Sequence, residues 1–145
     1  MANPFEKYLG KEDILQRQVI EYLELKYKVT PICMGTEGKK SAFERFKFKW
    51  MGGRKGVSDL FIPVSICGYH GLFIELKKEG AKIFKKDGTL YASNKEHHQR
   101  QLDFIDEMMQ LGYWSNMCIG FEATKEFIDQ YMNMKENYKT NFRDK

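Results

Sequence analysis

Two carboxylates and a lysine in the middle of the chain have the types and spacing that phosphodiester chemistry needs. Gly71 to Lys77 reads GLFIELK; in a strand, Phe73, Glu75 and Lys77 share one face and Leu72, Ile74 and Leu76 the other. Upstream, after the glycines Gly52, Gly53 and Gly56, DLFIPV begins at Asp59, with Asp59 and Phe61 on one face and Leu60 and Ile62 opposite. If the two runs pair as a hairpin, Asp59 and Glu75 converge at one end of a sheet. Two carboxylates there suit a hard divalent cation, most simply Mg²⁺ with several waters kept, or Mn²⁺ in its place. Such an ion polarises a phosphate oxygen and acidifies a bound water, while Lys77 orients that water and stabilises charge on the phosphorane. An isolated Glu-x-Lys at a strand end is commonly a solvated surface pair. Its company here, Asp59 and the basic segments on both flanks, gives it weight.

Further polar residues sit where periodicity calls for apolar ones. Glu12 and Gln16 lie one turn apart and lead into Val19 and Leu23, so they continue a core-facing stripe at its N-terminal end. Gln101 is followed by Phe104, Ile105 and Met108 along a buried face. A glutamine buried there needs a partner for its amide, or the burial costs about 1 to 3 kcal/mol. A cap or an ordinary buried hydrogen bond is the plainer role for such residues.

The net charge is only +4, but it is unevenly spread. Residues 35–56, GTEGKKSAFERFKFKWMGGRKG, set Lys39, Lys40, Arg45, Lys47, Lys49, Arg54 and Lys55 against Glu37 and Glu44. That segment is +5, which leaves the rest of the chain at -1. Phe43, Phe46, Phe48 and Trp50 are interleaved with the bases, a composition that holds phosphates while stacking on sugars or bases. The alternative is a solvated basic face whose aromatics point into the core. A second cluster, Lys77, Lys78, Lys82, Lys85 and Lys86, lies beyond the Glu75 strand. Two basic loops around one site suggest a nucleic-acid groove, with Lys39, Lys40, Arg54, Lys55, Lys78 and Gln16 as its contacts.

These residues must be carried by a small set of elements. Glu12 to Tyr27 predicts a helix through Leu15, Val19, Tyr22 and Leu23, and Val29 to Met34 a short strand. The basic segment is ambiguous, since FKFKW alternates like a strand while Phe43, Phe46 and Trp50 also fit one helical face. The strands beginning at Asp59 and Gly71 follow. Ser93 to Glu96 has the form of a capping box, predicting a helix with Leu102, Phe104, Ile105, Met108, Met109 and Leu111 as its apolar positions and Gly112 as its stop. Tyr113 to Ile119 predicts a strand and Thr124 to Met134 a closing helix. The order helix, three strands, helix, strand, helix calls for an α/β sheet covered by helices.

Length and composition exclude much else. A chain of 145 residues and 17.2 kDa has room for one domain with a core that needs no disulfides. With 42% hydrophobic, 14% aromatic and 30% charged residues it is neither disordered nor membrane-spanning. The N-terminal sequence lacks an apolar stretch behind a basic start, the pattern of a secretory signal, so an intracellular, cytoplasmic location is expected. Cys33, Cys67 and Cys118 are widely spaced, and His70, His97 and His98 lack the partners of a tetrahedral site, so neither a disulfide framework nor a zinc site fits.

Taken together, EDILQ with Glu12 and Gln16, TEG at Thr36 to Gly38, GGRKGVSDLFIP with Asp59, GLFIELK with Glu75 and Lys77, and HHQRQLDFIDEMMQLGY with Gln101 and Gly112 resemble the VRR-NUC nucleases, a branch of the PD-(D/E)XK superfamily. The likeness runs from Lys11 to Tyr131. It implies a single-domain restriction-endonuclease-like αβββαβ core with a C-terminal helix, a central mixed sheet flanked by helices, over 11–134. An N-terminal arm, 1–10, and a polar tail, 135–145, lie outside it. It implies that Asp59, Glu75, the backbone carbonyl of Leu76 and Glu12 ligate the metal, that Lys77 is the catalytic lysine, and that Gln101 supports the lysine and the phosphate. Ser58 stands where the family usually has proline, and Glu21 is a second acidic residue on the first helix. The chain resembles the stand-alone viral members, which implies a homodimer cutting branched DNA, four-way junctions included. A flap or restriction-type nuclease on the same site, or a non-catalytic nucleic-acid-binding module, are the alternatives.

Overall fold

The computed structural model describes residues 3–35 and 40–134. The TEG motif at Thr36 to Gly38, the expected DNA contact Lys39 and the tail 135–145 lie outside the described residues. The arm before the first helix holds one 3-10 turn, Glu6–Tyr8, and is exposed throughout its described length.

Helix α1 spans Lys11–Tyr22 and runs on into one π turn, Leu23–Tyr27, which Lys28 ends in the left-handed conformation at φ 57°. Leu15, Val19 and Leu23 form its buried stripe. Strand β1 is only Ile32–Cys33, shorter than the run Val29 to Met34 predicts. The physical reason is local: the Val29 amide is used in closing the π turn on the Leu23 carbonyl, and Pro31 has no N–H to give. The basic segment resolves as helix α2, Ala42–Trp50. Ser41 Oγ accepts from the Glu44 amide at 3.1 Å and Glu44 Oε2 accepts from the Ser41 amide at 3.3 Å, a formed capping box.

Strands β2, Leu60–Ile62, and β3, Leu72–Lys77, pair antiparallel, with Leu60 opposite Ile74 and Phe61 opposite Phe73. Helix α3, Lys95–Gln110, supplies the crossover that a parallel pair requires, and β4, Trp114–Ile119, lies parallel to β3. The capping box expected at Ser93 does not form. Asn94 takes the cap position at φ 54° without a side-chain bond, so Glu96 falls one position too early to reach back. Gly112 ends the segment as expected, at φ 97° and so close to the His70 ring that a Cβ would meet it at 2.8 Å. Helix α4, Phe121–Met132, closes the chain. The sheet order is β1-β2-β3-β4, mixed, with helices on both faces.

The two faces of β3 go to different layers. Leu72, Ile74 and Leu76 join Leu60, Ile62, Leu15, Val19, Leu23, Phe127, Ile128 and Tyr131 in the main core under α1 and α4. A fully buried aliphatic side chain such as Ile74 contributes roughly 1.5 to 3 kcal/mol. Asp129 of α4 accepts from Tyr22 and Tyr27 and pairs with Lys26, which fastens α4 to the end of α1. Phe73, Glu75 and Lys77 face the other way, toward α3, where Phe104 meets the Phe73 ring edge-on at 5.2 Å. No helix among the described residues is long and apolar enough to cross a membrane.

Candidate active site

The hairpin brings the two carboxylates together. Continuing the β2–β3 register by one residue sets Asp59 opposite Glu75, and Asp59 Oδ2 accepts from the Leu76 amide at 2.8 Å. This carboxylate thus takes the bond that a neighbouring strand would otherwise make, and its backbone carbonyl accepts from Met34 at 2.8 Å to extend the pairing with β1. Sheet pairing and a specific side-chain bond both fix Asp59 beside β3.

Glu75 is only 3% exposed and Lys77 8%. Lys77 Nζ stands 3.6 Å from Glu75 Oε1, and Gln101 Nε2 donates to the same oxygen at 2.6 Å. Gln101 is presented by α3 one turn before Phe104, whose burial fixes the phase of the helix. Burial, and then the charge of Asp59, hold the Glu75 carboxyl up at about 8, against the pull of Lys77. Glu75 Oε2 and Gln101 Oε1 are buried and have no hydrogen-bond partner among the described residues. A carboxylate oxygen placed so is costly unless a cation or a donor reaches it. The carboxylates of Asp59 and Glu75 are hard oxygen donors, and with one Glu75 oxygen left without a hydrogen bond they fit a divalent cation of the Mg²⁺ type.

The remaining expected residues are placed differently. Glu12 is exposed in the first turn of α1 and lines a shallow recess with Asp13 and Lys78. It therefore does not continue the buried stripe, which starts at Leu15; the first turn of α1 reaches past the packed core into solvent. Among the described residues no group of three or more His, Cys, Asp and Glu side chains is gathered for an ion. Glu21 is exposed and paired with Arg17 at 3.0 Å. Gln16 is half-buried and its amide reaches Cys33 Sγ at 3.5 Å on the edge strand. Of the basic residues, Lys55 and Lys78 are exposed, Lys40 lies 3.6 Å above the Phe48 ring centre, and Arg54 pairs with Glu107 and stands over the Phe104 ring. Ser58 is fully buried with its hydroxyl oxygen unpartnered.

Sequence reasoning missed His98. It lies one turn before Gln101 on α3, is buried, and its Nδ1 has no partner. Burial, and then the charges of Lys77 and His97, depress its basicity, which places it in the field of the site lysine. The signal was the three-residue spacing from Gln101, one helical turn.

No family model matches the chain, and no curated protein matches it. Among solved structures, a chain described as a VRR_NUC domain protein superposes with a TM-score of 0.57 at 24% identity, over 86% of this chain and 89% of that one. The likeness shows that this chain shares the fold of that protein, a mixed α/β domain.

Proposed function

We propose that this chain is a VRR-NUC nuclease, a divalent-metal-dependent endonuclease that hydrolyses DNA phosphodiester bonds. The observation that carries this reading is the buried Glu75, with one oxygen unpartnered, standing between Lys77, Gln101 and the Asp59 side of the hairpin. The VRR_NUC neighbour supports the same reading through the fold.

Asp59, Glu75 and the Leu76 carbonyl would hold Mg²⁺, or Mn²⁺ in its place, with Glu12 as a further carboxylate from the rim. When bound, the ion supplies Lewis-acid polarisation of a phosphate oxygen and a water of lowered pKa. The chain's own residues do the rest. Lys77 sets a positive charge beside the phosphorus, orients the attacking water and stabilises the negative charge that grows on the phosphorane. The Gln101 amide fixes Glu75 Oε1, so that the carboxylate keeps its orientation when the substrate arrives. Lys40, Arg54, Lys55 and Lys78, with Lys39 and Gln16, would hold the DNA backbone. Arg54 must exchange Glu107 for a phosphate, which costs little because both side chains of that pair are about half exposed.

The finer reading is structure-selective cleavage, with resolution of four-way junctions by a homodimer, since two symmetric nicks need two sites related by a two-fold axis. Cleavage of matched linear, flap and four-way-junction DNAs by the purified protein, in Mg²⁺, Mn²⁺ or EDTA and with Glu75→Ala as control, tests it. Metal-dependent paired nicks on the junction alone support the resolvase. Binding to every substrate without cutting would replace the nuclease with a non-catalytic binding module, and a monomer on junction DNA in sedimentation would remove the dimer.

A further inference from the structure

Among the described residues, helix α2 has a face that no other element covers. At helical spacing Phe43, Phe46 and Trp50 form one stripe, flanked by Lys47 on one side and Lys49 on the other, with Arg45 beyond Lys49. The three aromatics are 70%, 64% and 78% exposed. Among the described residues α2 lies apart from every other helix and strand. Only Phe48 is turned inward, half-buried against Gly53 and under Lys40. Nine residues are too few for a helix to persist on propensity alone, and an aromatic stripe of this kind marks a binding surface.

Charge decides which partner fits. Arg45, Lys47 and Lys49 outnumber Glu44 on the helix, with Lys40 before it and Arg54 and Lys55 after it. Two copies of this face packed together would set like charges against one another, which is unfavourable. A polyanion neutralises them, and aromatic rings interleaved with cations stack on nucleobases. Bases inside an intact duplex are already stacked, so the partner must offer unstacked ones. The position also suits the site. From α2 the chain runs past Arg54, on Glu107 and the Phe104 ring, and past Gly56, where a Cβ would meet the Arg100 carbonyl oxygen at 2.8 Å, before it reaches Asp59. Those contacts are all with α3, the helix that presents Gln101 to Glu75.

We propose that the Phe43, Phe46 and Trp50 face of α2 is a base-stacking platform for unstacked nucleotides at a branch or in a single-stranded segment, with Arg45, Lys47 and Lys49 on the neighbouring phosphates. The platform rests on the nuclease reading and deepens it, because it selects DNA by whether bases are available rather than by sequence.

The test is binding by the full chain in EDTA, so that cutting does not intervene, to a single strand, an intact duplex and a four-way junction. Phe43→Ala, Phe46→Ala and Trp50→Ala should each weaken single-strand and junction binding roughly five- to hundredfold, the range of one lost stacking contact. Duplex affinity and the salt dependence on every DNA should stay as in the wild type, since no phosphate contact is removed. Trp50 emission should be quenched by the single strand and not by the duplex, and that signal should vanish in Trp50→Phe while binding persists. Unchanged melting temperatures should accompany these losses, because among the described residues α2 packs on no other element. Equal affinities of wild type and variants for the junction would overturn the platform and leave the nuclease reading standing. A dimer that Phe46→Ala turns into a monomer, with DNA affinity intact, would assign the face to a second copy instead. A wild-type chain that binds none of the DNAs would remove both readings.

Discussion

Glu75 offers the sharpest test of the site, because its protonation is tied to the stability of the fold. In the unfolded chain this carboxyl has its ordinary value of 4.5, and in the folded metal-free protein it is held at about 8. Below 4.5 both states carry the proton and the group does not distinguish them. Between 4.5 and about 8 the unfolded chain has released the proton that the folded chain still holds, so each pH unit weakens the fold by about 1.4 kcal/mol. Above about 8 both states are ionised and the decline stops. The loss across the window is about 5 kcal/mol, a large fraction of the roughly 5 to 15 kcal/mol that holds a domain together. Glu75→Gln keeps an acceptor for Gln101 and carries no titrating proton. Urea unfolding in EDTA at pH 5, 6, 7 and 8 should therefore show the wild type losing stability relative to Glu75→Gln, with the other titrating groups common to both. Excess Mg²⁺ at pH 8 should restore the wild type, since a ligand of the folded state stabilises it by mass action, and should leave Glu75→Gln unmoved. Parallel pH curves for the two proteins would refute the reasoning, because they would mean that the Glu75 environment does not favour the proton.

Asp59→Ala and Glu75→Ala should abolish cleavage while DNA binding without metal is kept or strengthened, as electrophoretic mobility in EDTA would show; full activity of either would remove the carboxylate pair from the chemistry. Asp59→Ala should also leave the Leu76 amide without its acceptor and cost about 1 to 3 kcal/mol, whereas Asp59→Asn keeps that acceptor and costs less. Lys77→Ala should slow single-turnover cleavage strongly with metal affinity, measured by calorimetry, little changed. Gln101→Ala should destabilise the fold by about 1 to 3 kcal/mol by removing the amide that donates to Glu75 Oε1, and Gln101→Glu should be worse because it adds a third carboxyl beside Glu75 and Asp59. Replacing Lys40, Arg54 or Lys55 should flatten the salt dependence of DNA binding by about one unit of slope per lost phosphate contact, and an unchanged slope would return that residue to the solvated surface.

The placement of Glu75 and Lys77 on β3 was legible in the sequence because a strand has a period of two: the two had to share a face, and the apolar partners Leu72, Ile74 and Leu76 had to form the other. Gln101 was legible for the parallel reason in a helix, a polar residue in phase with Phe104 and Ile105. The same local rules misled at the helix starts. Ser93 to Glu96 and Ser41 to Glu44 have the same capping-box spelling, yet only the second forms a box, because Asn94 takes the left-handed conformation and moves the start of α3 by one residue. Periodicity likewise carried Glu12 into the core, although it cannot tell where along a helix the packed layer begins. Distance in space needed the tertiary structure. The hairpin register set Asp59 against the Leu76 amide, the packing of α3 on the sheet gave Glu75 its glutamine and put His98 in the field of Lys77, and no element among the described residues covers the α2 aromatics. Sequence alone determines which side chains share a face, since that is a property of the backbone repeat; which faces meet, and how much water remains between them, is decided only when the elements pack.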